Sequence, residues 1–287
     1  MYYFKDYSEL YSGLRRVLLD ESNEVDSRVA KTKELQAVSF LLTNPRNRLA
    51  HHPDRKFNLP FAIFEFISDV TGANDVNLTK AINKKAADYS DDGYTFYGNY
   101  GIRIAPNLDR VIEKLRKDKD TRQAVISIYN TKDMFVKTKD VPCTLTLQFL
   151  IRDEKLNMIA SMRSNDFFWG LQYDLFRFTL LHELVANELE IPLGWYCHFD
   201  GSLHVYDYHW EMLEKITNME SVNMPVYPDL RRQTCFDILN DLYYYIKTGE
   251  EYVYDSHDFS RVLGYKLTKG VILYDELPKW SKKFIKV

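Results

Sequence analysis

The stretch 141–189 is the feature that most limits what this chain can fold into. Within it, residues 144–151 alternate between apolar and polar side chains, the charged residues 152–154 indicate a turn, and 156–162 indicate a further strand, which together predict a β-hairpin. Residues 173–189 follow, with large apolar side chains three and four positions apart, which predicts a helix with one buried face. A hairpin that leads into such a helix favours a sheet covered by helices.

The rest of the chain predicts further elements of both kinds. Apolar spacing indicates helices over 4–19, 59–70 and, with Asn107 as the cap, 107–117, and strands over 35–42 and 124–129. The segment 75–89 is polar and helical in character. Polar composition indicates a loop over 21–33 and a loop or a short ordered insert over 44–58. Because no repeat, low-complexity tract or linker interrupts the pattern, we predict one domain over 1–287 of the mixed α/β (α+β) class, with the segment from about 222 the hardest to interpret.

Composition narrows the class of protein. The chain has 287 residues, 45% of them hydrophobic and 28% charged, which is ordinary for a globular enzyme. A formal net charge of −3 argues against a general nucleic-acid surface. Three cysteines, no signal-peptide pattern and no apolar run of membrane-spanning length lead us to expect a cytoplasmic protein without a membrane segment.

Two neighbouring features are candidates for a nucleophile and for a phosphate-binding site. Cys143 follows Pro142 at the start of a predicted strand, where a cysteine is usually a small buried hydrophobe and becomes a nucleophile when positive charge lies beside it. The run 163–166, Arg-Ser-Asn-Asp, offers a guanidinium and a hydroxyl that suit a phosphate monoester. A solvated hairpin exit explains the same run equally well.

An acid stands inside an apolar run at Glu65. A buried glutamate is energetically costly unless it is paired or takes part in catalysis, and a position on the solvent edge of the helix is the alternative.

His182-Glu183 begins like a zinc-protease helix, but Ala186 stands where the second histidine is needed, so that motif is rejected. No cluster has the spacing of metal ligands, and we expect no metal.

Three sequence blocks together resemble one family. They are P-C-T-L-T-L-Q-F at 142–149, R-S-N-D-F-F-W-G-L-Q-Y-D at 163–174 and G-S-L-H-V-Y at 201–206. In order and spacing they resemble the thymidylate synthase and pyrimidine-nucleotide hydroxymethylase family, closest in motif to the deoxycytidylate hydroxymethylases. The resemblance runs from about residue 28 to 209, and the last seventy or so residues match poorly.

The resemblance implies a fold, an assembly and a reaction. The fold is a mixed sheet covered by helices, assembled as a homodimer through the sheet face. The reaction transfers a one-carbon unit from 5,10-methylenetetrahydrofolate to C5 of a pyrimidine nucleotide. In that chemistry Cys143 is the nucleophile that adds to C6 of the ring, Glu65 orders water and relays protons, and Tyr97 lies beside the path of the C5 proton.

The resemblance also assigns binding residues. Phosphate is held by Arg28, Arg163, Ser164 and, across the dimer, Arg122. The family usually has a second arginine after that last position, where this chain has Gln123, so one positive charge is missing. The sugar 3′-hydroxyl is held by His204 and Tyr206. The folate site is formed by Asp166, which binds the pterin ring, and by Gly170, Leu171 and Tyr173.

Asp174 departs from the thymidylate synthase pattern, which has asparagine there. An amide pairs with O4 and N3–H of uracil, whereas a carboxyl accepts from the cytosine amino group and, when protonated, donates to N3. Aspartate at this position resembles the deoxycytidylate hydroxymethylases of phages. The alternative is that Asp174 only caps the helix predicted to start beside it.

Asn83 is the second departure. It falls where the family usually has a tryptophan packed against the folate and the reacting carbon. A polar residue makes that pocket wetter and favours water over hydride as the final reactant. The C-terminal F-I-K-V also lacks a convincing match to the closing tail of the family.

These observations lead to one expectation with several alternatives. We expect a homodimeric enzyme that hydroxymethylates C5 of dCMP with methylenetetrahydrofolate and water. The alternatives are methyl transfer to dCMP or dUMP with dihydrofolate as the product, hydroxymethylation of the ribonucleotide CMP, and a non-catalytic nucleotide or RNA binder on the same fold.

Overall fold

The computed structural model describes residues 1–250, 257–268 and 272–285. Within these ranges the strands, in chain order, are β1 (Tyr2–Phe4), β2 (Asn23–Asp26), β3 (Lys31–Leu42), β4 (Leu49–His51), β5 (Val125–Ser127), β6 (Thr144–Arg152), β7 (Lys155–Met162), β8 (Asn165–Asp166), β9 (Leu193–Tyr206) and β10 (Glu220–Val222).

Helices follow the same chain order. They are α1 (Tyr7–Glu21), α2 (Leu59–Thr71), α3 (Val76–Ile82), α4 (Gly101–Lys117), α5 (Gly170–Leu189), α6 (Trp210–Lys215), α7 (Arg232–Thr248) and α8 (Asp258–Thr268). The mixture of strands and helices confirms the predicted α/β class.

The chain divides into two compact units, each built from several segments. The first unit comprises residues 1–56, 110–129 and 143–226, and the second comprises 57–109, 130–142 and 227–287. The first unit contains all the strands named above, and the second contains α2, α3, α7 and α8. That the chain forms one domain stays a prediction.

The first unit is built on a mixed sheet in the order β1-β3-β9-β7-β6-β5, with β2 paired to β3 and β8 paired to β9. The pairs β3–β9, β6–β7 and β5–β6 are antiparallel, whereas β7 and β8 run parallel to β9. The predicted hairpin is therefore β6–β7. Its turn residues Asp153 and Glu154 adopt φ of 50° and 56°, the left-handed region that a tight hairpin requires.

One face of this sheet is buried and the other is open. Because side chains alternate along a strand, Phe40, Phe149 and His198 share one face, and each is fully buried. Helices α1 and α5 contribute further fully buried apolar residues to the same unit. On the opposite face, Val125 is 40% exposed and Phe199 is 37% exposed.

Helix α2 is the central element of the second unit. Asn58 begins it by accepting the Phe61 N–H (3.2 Å) through its side chain, and Gly72 ends it at φ 80°, where glycine fits without strain. Ten of its thirteen residues are buried, because it is apolar on nearly every side. Phe66 meets Phe259 of α8 edge to face, with ring centroids 6.1 Å apart.

Several predicted boundaries are wrong, and two of them show where the local pattern is weak. Residues 21–33, predicted as a loop, contain β2 and the start of β3, paired from Asn23↔Glu34 to Asp26↔Lys31. All of β2 is exposed, so it lacks the apolar alternation that marks a half-buried strand. Helix α4 begins at Gly101 rather than at Asn107, and the side chain of Asn99 accepts the Ile102 N–H (3.2 Å) in its first turn.

No helix in the described part of the chain is long and apolar enough to cross a membrane. Of the C-terminal F-I-K-V, Lys286 and Val287 lie outside the described residues.

Candidate active site

Cys143 and Arg163 form the centre of the candidate site in the first unit. Cys143 immediately precedes β6, and Arg163 immediately follows β7, so the hairpin brings them opposite each other. The Arg163 N–H donates to the Cys143 carbonyl oxygen (2.9 Å), and its Nη2 lies 3.6 Å from the half-buried Cys143 Sγ. A positive charge at this distance stabilises a thiolate, the nucleophilic form of cysteine.

A glycine lets this hairpin exit approach β9 closely. A Cβ at Gly201 would lie 3.0 Å from the Arg163 carbonyl oxygen, tighter than ordinary contacts allow. Gly201 therefore keeps Arg163 and the half-buried Ser164 against β9, which also carries His204 and Tyr206. Gly201, in the third sequence block, thus helps to position Arg163 and Ser164, the first residues of the second block.

His204 and Tyr206 lie on one face of β9, two positions apart. Their ring centroids are 5.1 Å apart and nearly perpendicular, and Tyr206 stacks on Tyr208 at 5.2 Å. His204 pairs with Asp166 of β8 through the parallel ladder, and its carbonyl oxygen accepts the Phe167 N–H (2.7 Å). The strand pairing thus brings the predicted sugar residues next to the predicted pterin residue.

Asp166 is a carboxyl at the turn that precedes α5. Its Oδ1 accepts the Phe168 N–H (2.8 Å). Burial raises the pKa of Asp166, although the nearby N–H groups, His204 and Arg55 act in the opposite direction. The carboxyl therefore has a greater tendency to carry a proton than an exposed aspartate.

Helix α5 begins earlier than predicted, and this changes the interpretation of Asp174. The helix starts at Gly170, with Trp169 in the N-cap position, so Asp174 lies in its second turn. From there its side chain does not cap the helix. It is only 8% exposed. The predicted alternative, a simple helix cap, is wrong.

Gly170 allows the start of α5 to pack against β8. A Cβ at Gly170 would lie 2.7 Å from Asn165 Oδ1 and 3.7 Å from Asp174 Oδ2. The next residue, Leu171, is fully buried, and Tyr173 is half-buried. Gly170, one of the predicted folate residues, thus lies next to the predicted base-reading carboxyl.

Two residues of the candidate site were missed from the sequence. Trp169 is 39% exposed, and its Nε1–H donates to His209 Nε2 (2.7 Å). Burial lowers the pKa of His209 to about 4, which keeps this nitrogen an acceptor near neutral pH. Trp169 lies inside the second sequence block, so its place next to Gly170 was the available signal.

The remaining predicted phosphate residues of the first unit are farther apart. Arg28 is exposed in the turn between β2 and β3. Arg122 is exposed just before the edge strand β5, and its carbonyl oxygen accepts from the Gln148 side chain (3.1 Å). Strands β9, β7 and β6 separate these two positions in the sheet order. The role of Arg122 across a dimer stays a prediction.

Glu65, Tyr97 and Asn83 belong to the second unit. Glu65 is half-buried on α2, between the buried Phe64 and Phe66. Asn83 is half-buried at the end of α3, where its N–H donates to the Thr79 carbonyl oxygen (2.7 Å). Glu65 and Asn83 are thus both partly shielded from solvent.

Tyr97 is held by an ion pair that the sequence did not reveal. Its hydroxyl donates to Asp133 Oδ1 (2.8 Å), and Arg103 pairs with Asp133 at 2.6 Å. The Arg103 guanidinium also lies 5.4 Å from the centroid of the Tyr97 ring. The hydrogen bond to Asp133 raises the pKa of Tyr97, so the phenol stays protonated. Asp133 and Arg103 are thirty positions apart, which left no local pattern to find.

Comparison with known proteins identifies the family of this chain. Residues 89–244, more than half of the chain, match the family model described as thymidylate synthase. The chain belongs to the thymidylate synthase family. This confirms the resemblance carried by the three sequence blocks, all of which lie inside the matched range.

Several phage proteins are similar to this member of the thymidylate synthase family. The deoxyuridylate hydroxymethyltransferase of Bacillus phage SP01 is 32% identical over 237 residues, covering 76% of this chain and 62% of that protein. The protein of the same name from Pseudomonas phage M6 is 31% identical, covering 63% and 53%. The thymidylate synthase of Mycoplasma genitalium is 26% identical, covering 47% of each chain. This chain thus spans less than two thirds of the length of these relatives.

A solved structure agrees on the fold. The thermostable thymidylate synthase A from Bacillus subtilis matches with a TM-score of 0.65 and 19% identity, covering 75% of this chain and 85% of that one. At that identity the likeness concerns the fold alone. In the described ranges, no group of three or more His, Cys, Asp or Glu side chains could hold a metal ion.

Proposed function

We propose that this protein transfers a hydroxymethyl group to C5 of dCMP, using methylenetetrahydrofolate and water. The observation that carries the proposal is the placement of Asp174. It is a nearly buried carboxyl inside α5, at the position where thymidylate synthases have the base-reading asparagine. A buried carboxyl matches the cytosine edge, since it accepts from the amino group and, when protonated, donates to N3.

Cys143 supplies the nucleophile in this proposal. Its sulfur bonds to C6 of the ring, and the electron pair of the C5–C6 double bond becomes available at C5. C5 then bonds to the one-carbon unit and loses its proton, and the bond between that carbon and tetrahydrofolate breaks to leave an exocyclic methylene. Water adds to the methylene carbon, and the bond from Cys143 to C6 breaks as the C5–C6 double bond forms again. The balance is dCMP, methylenetetrahydrofolate and water in, and 5-hydroxymethyl-dCMP and tetrahydrofolate out.

The proton transfers are assigned to Glu65 and Tyr97. A half-buried glutamate on an apolar helix suits the ordering of water and the exchange of protons. Tyr97 stays protonated because its hydroxyl donates to Asp133, so it orients groups near the C5 proton and does not act as a strong base. These roles rest on the resemblance.

The nucleotide is held at its phosphate and its sugar. Arg163 and Ser164 follow β7 next to Cys143, which suits a phosphate bound close to the nucleophile. Arg28 and, from a second copy, Arg122 complete the phosphate site. His204 and Tyr206 lie on one face of β9 and are assigned to the 3′-hydroxyl.

The residues at the start of α5 fit a folate. The co-substrate, methylenetetrahydrofolate, supplies the one-carbon unit. A pterin is flat and carries N–H donors, and the site offers the Asp166 carboxyl, the buried Leu171, the half-buried Tyr173 and a Gly170 without a side chain. The half-exposed Trp169 adds an aromatic surface beside them.

Water, and not hydride, is proposed as the final reactant because of Asn83. A half-buried amide replaces a large apolar side chain that would exclude water from the reacting carbon. The names of the phage relatives, which describe hydroxymethyl transfer, support the same outcome.

Hydroxymethylation of dUMP is the second candidate. It is favoured by the printed names of the phage relatives, each a deoxyuridylate hydroxymethyltransferase. Asp174 argues against it, since a carboxylate opposite uracil O4 leaves two acceptors facing each other.

One experiment separates these functions. The protein is incubated with methylenetetrahydrofolate and dCMP, dUMP or CMP, and the products are identified by mass while dihydrofolate absorbance is followed. We expect a gain of one CH₂O on dCMP without dihydrofolate. Asp174→Asn should shift the preference towards dUMP, and the exposed Asp88→Asn should not. Dihydrofolate release, or an unchanged base preference in Asp174→Asn, contradicts the proposal.

A further inference from the structure

A buried arginine lies beneath the turn that leads into α5. Arg55 stands between β4 and α2 and is 5% exposed. Residues 166–169 form the turn, and we call them the folate turn, because Asp166 and Trp169 are assigned to the folate. Neither the three sequence blocks nor the proposed reaction uses Arg55. Because a buried guanidinium is costly unless other groups offset its charge, its contacts indicate what it does.

Arg55 contacts Phe168 of the folate turn in two ways. Its Nη2 donates to the Phe168 carbonyl oxygen, and its guanidinium carbon lies 4.8 Å from the centroid of the Phe168 ring. The same carbon lies 5.2 Å from the centroid of the Tyr11 ring on α1, and Nη1 lies 3.4 Å from Met219 Sδ. Aromatic faces attract a guanidinium at these distances. Arg55 thus joins the folate turn to α1 and to the residue before β10.

Phe168 is held at both of its backbone polar groups. Asp166 Oδ1 accepts its N–H (2.8 Å), and Arg55 donates to its carbonyl oxygen. A hydrogen bond from a charged donor is worth more than one between neutral groups, and a buried carbonyl that loses it is left unsatisfied. The orientation of the Asp166 carboxyl therefore depends on the bond that Arg55 makes on the other side of Phe168.

The exposed side of the folate turn depends on Phe168 as well. The Phe168 ring, which is 3% exposed, stacks on His209 with centroids 4.4 Å apart. His209 Nε2 in turn accepts from the Nε1–H of Trp169, which is 39% exposed. Contacts thus run without a break from Arg55 through Phe168 and His209 to Trp169. A displaced Phe168 would move the indole that faces solvent.

The charge of Arg55 favours the protonation states that these contacts need. Burial raises the pKa of Asp166, whereas the Phe168 N–H, His204 and Arg55 act in the opposite direction. Burial lowers the pKa of His209 to about 4, and the charge of Arg55 acts in the same direction. Arg55 thereby favours an ionised Asp166, which accepts from N–H donors, and a neutral His209 ring, which accepts from the indole.

We propose that Arg55 is a positioning residue of the folate site, which holds the folate turn from its buried side and so presents Asp166 and Trp169 to the pterin. This rests on the proposed binding of methylenetetrahydrofolate. The pterin offers N–H donors to the Asp166 carboxylate and a flat face to the indole. Arg55 acts through Phe168 and does not itself contact the folate.

Direct binding measurements on Arg55→Met and Arg55→Lys test the role. Calorimetric titration with tetrahydrofolate, in the presence of dCMP or dUMP, gives the dissociation constant without turnover. We expect Arg55→Met to raise it by at least about tenfold, the worth of a charge-assisted hydrogen bond, while the affinity for the nucleotide stays unchanged. Arg55→Lys keeps the charge but loses the planar fork, so it should weaken binding less.

Arg116→Met is the matched control. The Arg116 Nη2 also donates to a backbone carbonyl oxygen, that of Glu188 (2.6 Å), but at the other end of α5. The variant should bind tetrahydrofolate like the wild-type protein. An equal loss of affinity in Arg116→Met and Arg55→Met would show a general effect of losing an arginine and would overturn the proposal.

A smaller ligand separates positioning from direct contact. 6-Methyltetrahydropterin keeps the pterin ring but lacks the aminobenzoyl-glutamate part and its carboxylates. Since Arg55 is proposed to act on the pterin through the folate turn, Arg55→Met should weaken this ligand and tetrahydrofolate by the same factor. A loss confined to tetrahydrofolate would mean that Arg55 binds the carboxylates of the glutamate directly, and would overturn the positioning role.

NMR gives a signature that a general loss of stability does not. Titration of the His209 ring should show a pKa of about 4 in the wild-type protein and a higher pKa in Arg55→Met, because a nearby positive charge is removed. The indole N–H resonance of Trp169 should shift in the same variant. Thermal unfolding checks that the variants fold, and Arg55→Lys carries the test if Arg55→Met does not. Unchanged His209 and Trp169 signals in a folded variant would overturn the proposal.

The outcomes separate this proposal from the proposed function. A wild-type protein that binds no tetrahydrofolate refutes the folate site and the role of Arg55 together. Wild-type affinity for tetrahydrofolate in Arg55→Met refutes the role of Arg55 alone. Conversion of dUMP in place of dCMP, together with weakened tetrahydrofolate binding in Arg55→Met, supports the role of Arg55 and refutes only the proposed nucleotide.

Discussion

At the scale of single residues, the distance between Cys143 and Arg163 matters most. Each residue is ordinary in the sequence, a cysteine before a strand and an arginine after one. The β6–β7 hairpin brings them opposite each other, with Arg163 Nη2 at 3.6 Å from Cys143 Sγ. One guanidinium is thereby placed beside both the proposed nucleophile and the proposed phosphate site.

Arg163→Lys tests this double role. Lysine keeps the charge but loses the planar fork that binds phosphate oxygens in pairs. We expect kcat/KM for the nucleotide to fall by about 10–100-fold, the worth of a charge-assisted hydrogen bond. Steady-state kinetics against Arg152→Lys, an equally conservative change at the end of β6, provide the comparison. Equal activity of the two variants would show that the fork is not used.

A buried histidine makes the stability of the protein depend on pH. Burial lowers the pKa of His182 to about 3, and its Nε2–H donates to the Leu156 carbonyl oxygen (2.7 Å). The folded state thus keeps the ring neutral, whereas the unfolded chain takes up a proton below about pH 6.5. Stability is therefore lost as the pH falls from about 6.5 towards 3.

His182→Gln removes this titration. At pH 5 the wild-type protein should have lost about 2 kcal/mol of unfolding free energy through this residue alone. Urea unfolding at pH 8, 7 and 5 measures it. We expect the wild-type protein and the variant to change in parallel from pH 8 to 7 and to diverge at pH 5, with the variant losing less. Parallel behaviour over the whole range would contradict the assignment.

At the scale of elements, α5 combines two tasks at its two ends. Its first turns carry Gly170, Leu171 and Asp174, and its later half carries a buried ion pair. Glu183 is paired with Arg46 (2.9 Å) and with the buried Arg48. Burial alone would raise the pKa of Glu183, and the two guanidinium groups outweigh it and hold the pKa below its usual value. The pairing fixes the helix that presents Asp174.

Glu183→Gln should destabilise the first unit strongly. It leaves the buried Arg48 guanidinium without its compensating charge, which typically costs about 3–5 kcal/mol. Thermal unfolding measures the loss, and Glu190→Gln, an exposed change just after the same helix, is the control. A variant as stable as the wild-type protein would show that the ion pair contributes little.

At the scale of the whole molecule, the open face of the sheet is the feature to explain. It exposes Phe199 and Val125 on a surface opposite the face that α1 and α5 cover. The resemblance implies a homodimer through a sheet face, and an apolar surface of this kind is typical of such an interface. Arg122, exposed before β5, would then serve the phosphate site of a partner.

The assembly is tested by measuring molar mass in solution. We expect sedimentation to give twice the chain mass, and Phe199→Glu to give a monomer, because a buried unpaired charge opposes association. Met134→Glu places the same charge at another exposed apolar residue and should leave the mass unchanged. A wild-type monomer would refute both the dimer and the assigned role of Arg122.

The sequence by itself determined the hairpin, the amphipathic helix, the α/β class and the family. These rest on local periodicity and on short blocks of fixed spacing, which remain visible along a single chain. Where the local pattern was weak, the predicted boundaries of strands and helices were wrong. The exposed β2 has no apolar alternation, and Asn107 has the form of a helix cap inside a helix that starts at Gly101.

Only the tertiary structure decided how distant residues act together. The start of α5 at Gly170 removed the capping explanation of Asp174, and strand order brought Asp166 beside His204. Tyr196, His198 and Asp200 alternate along β9, and no sequence pattern singles them out. Because the sheet face that carries them is covered, these polar side chains form a buried hydrogen-bonded cluster, which only the tertiary structure shows.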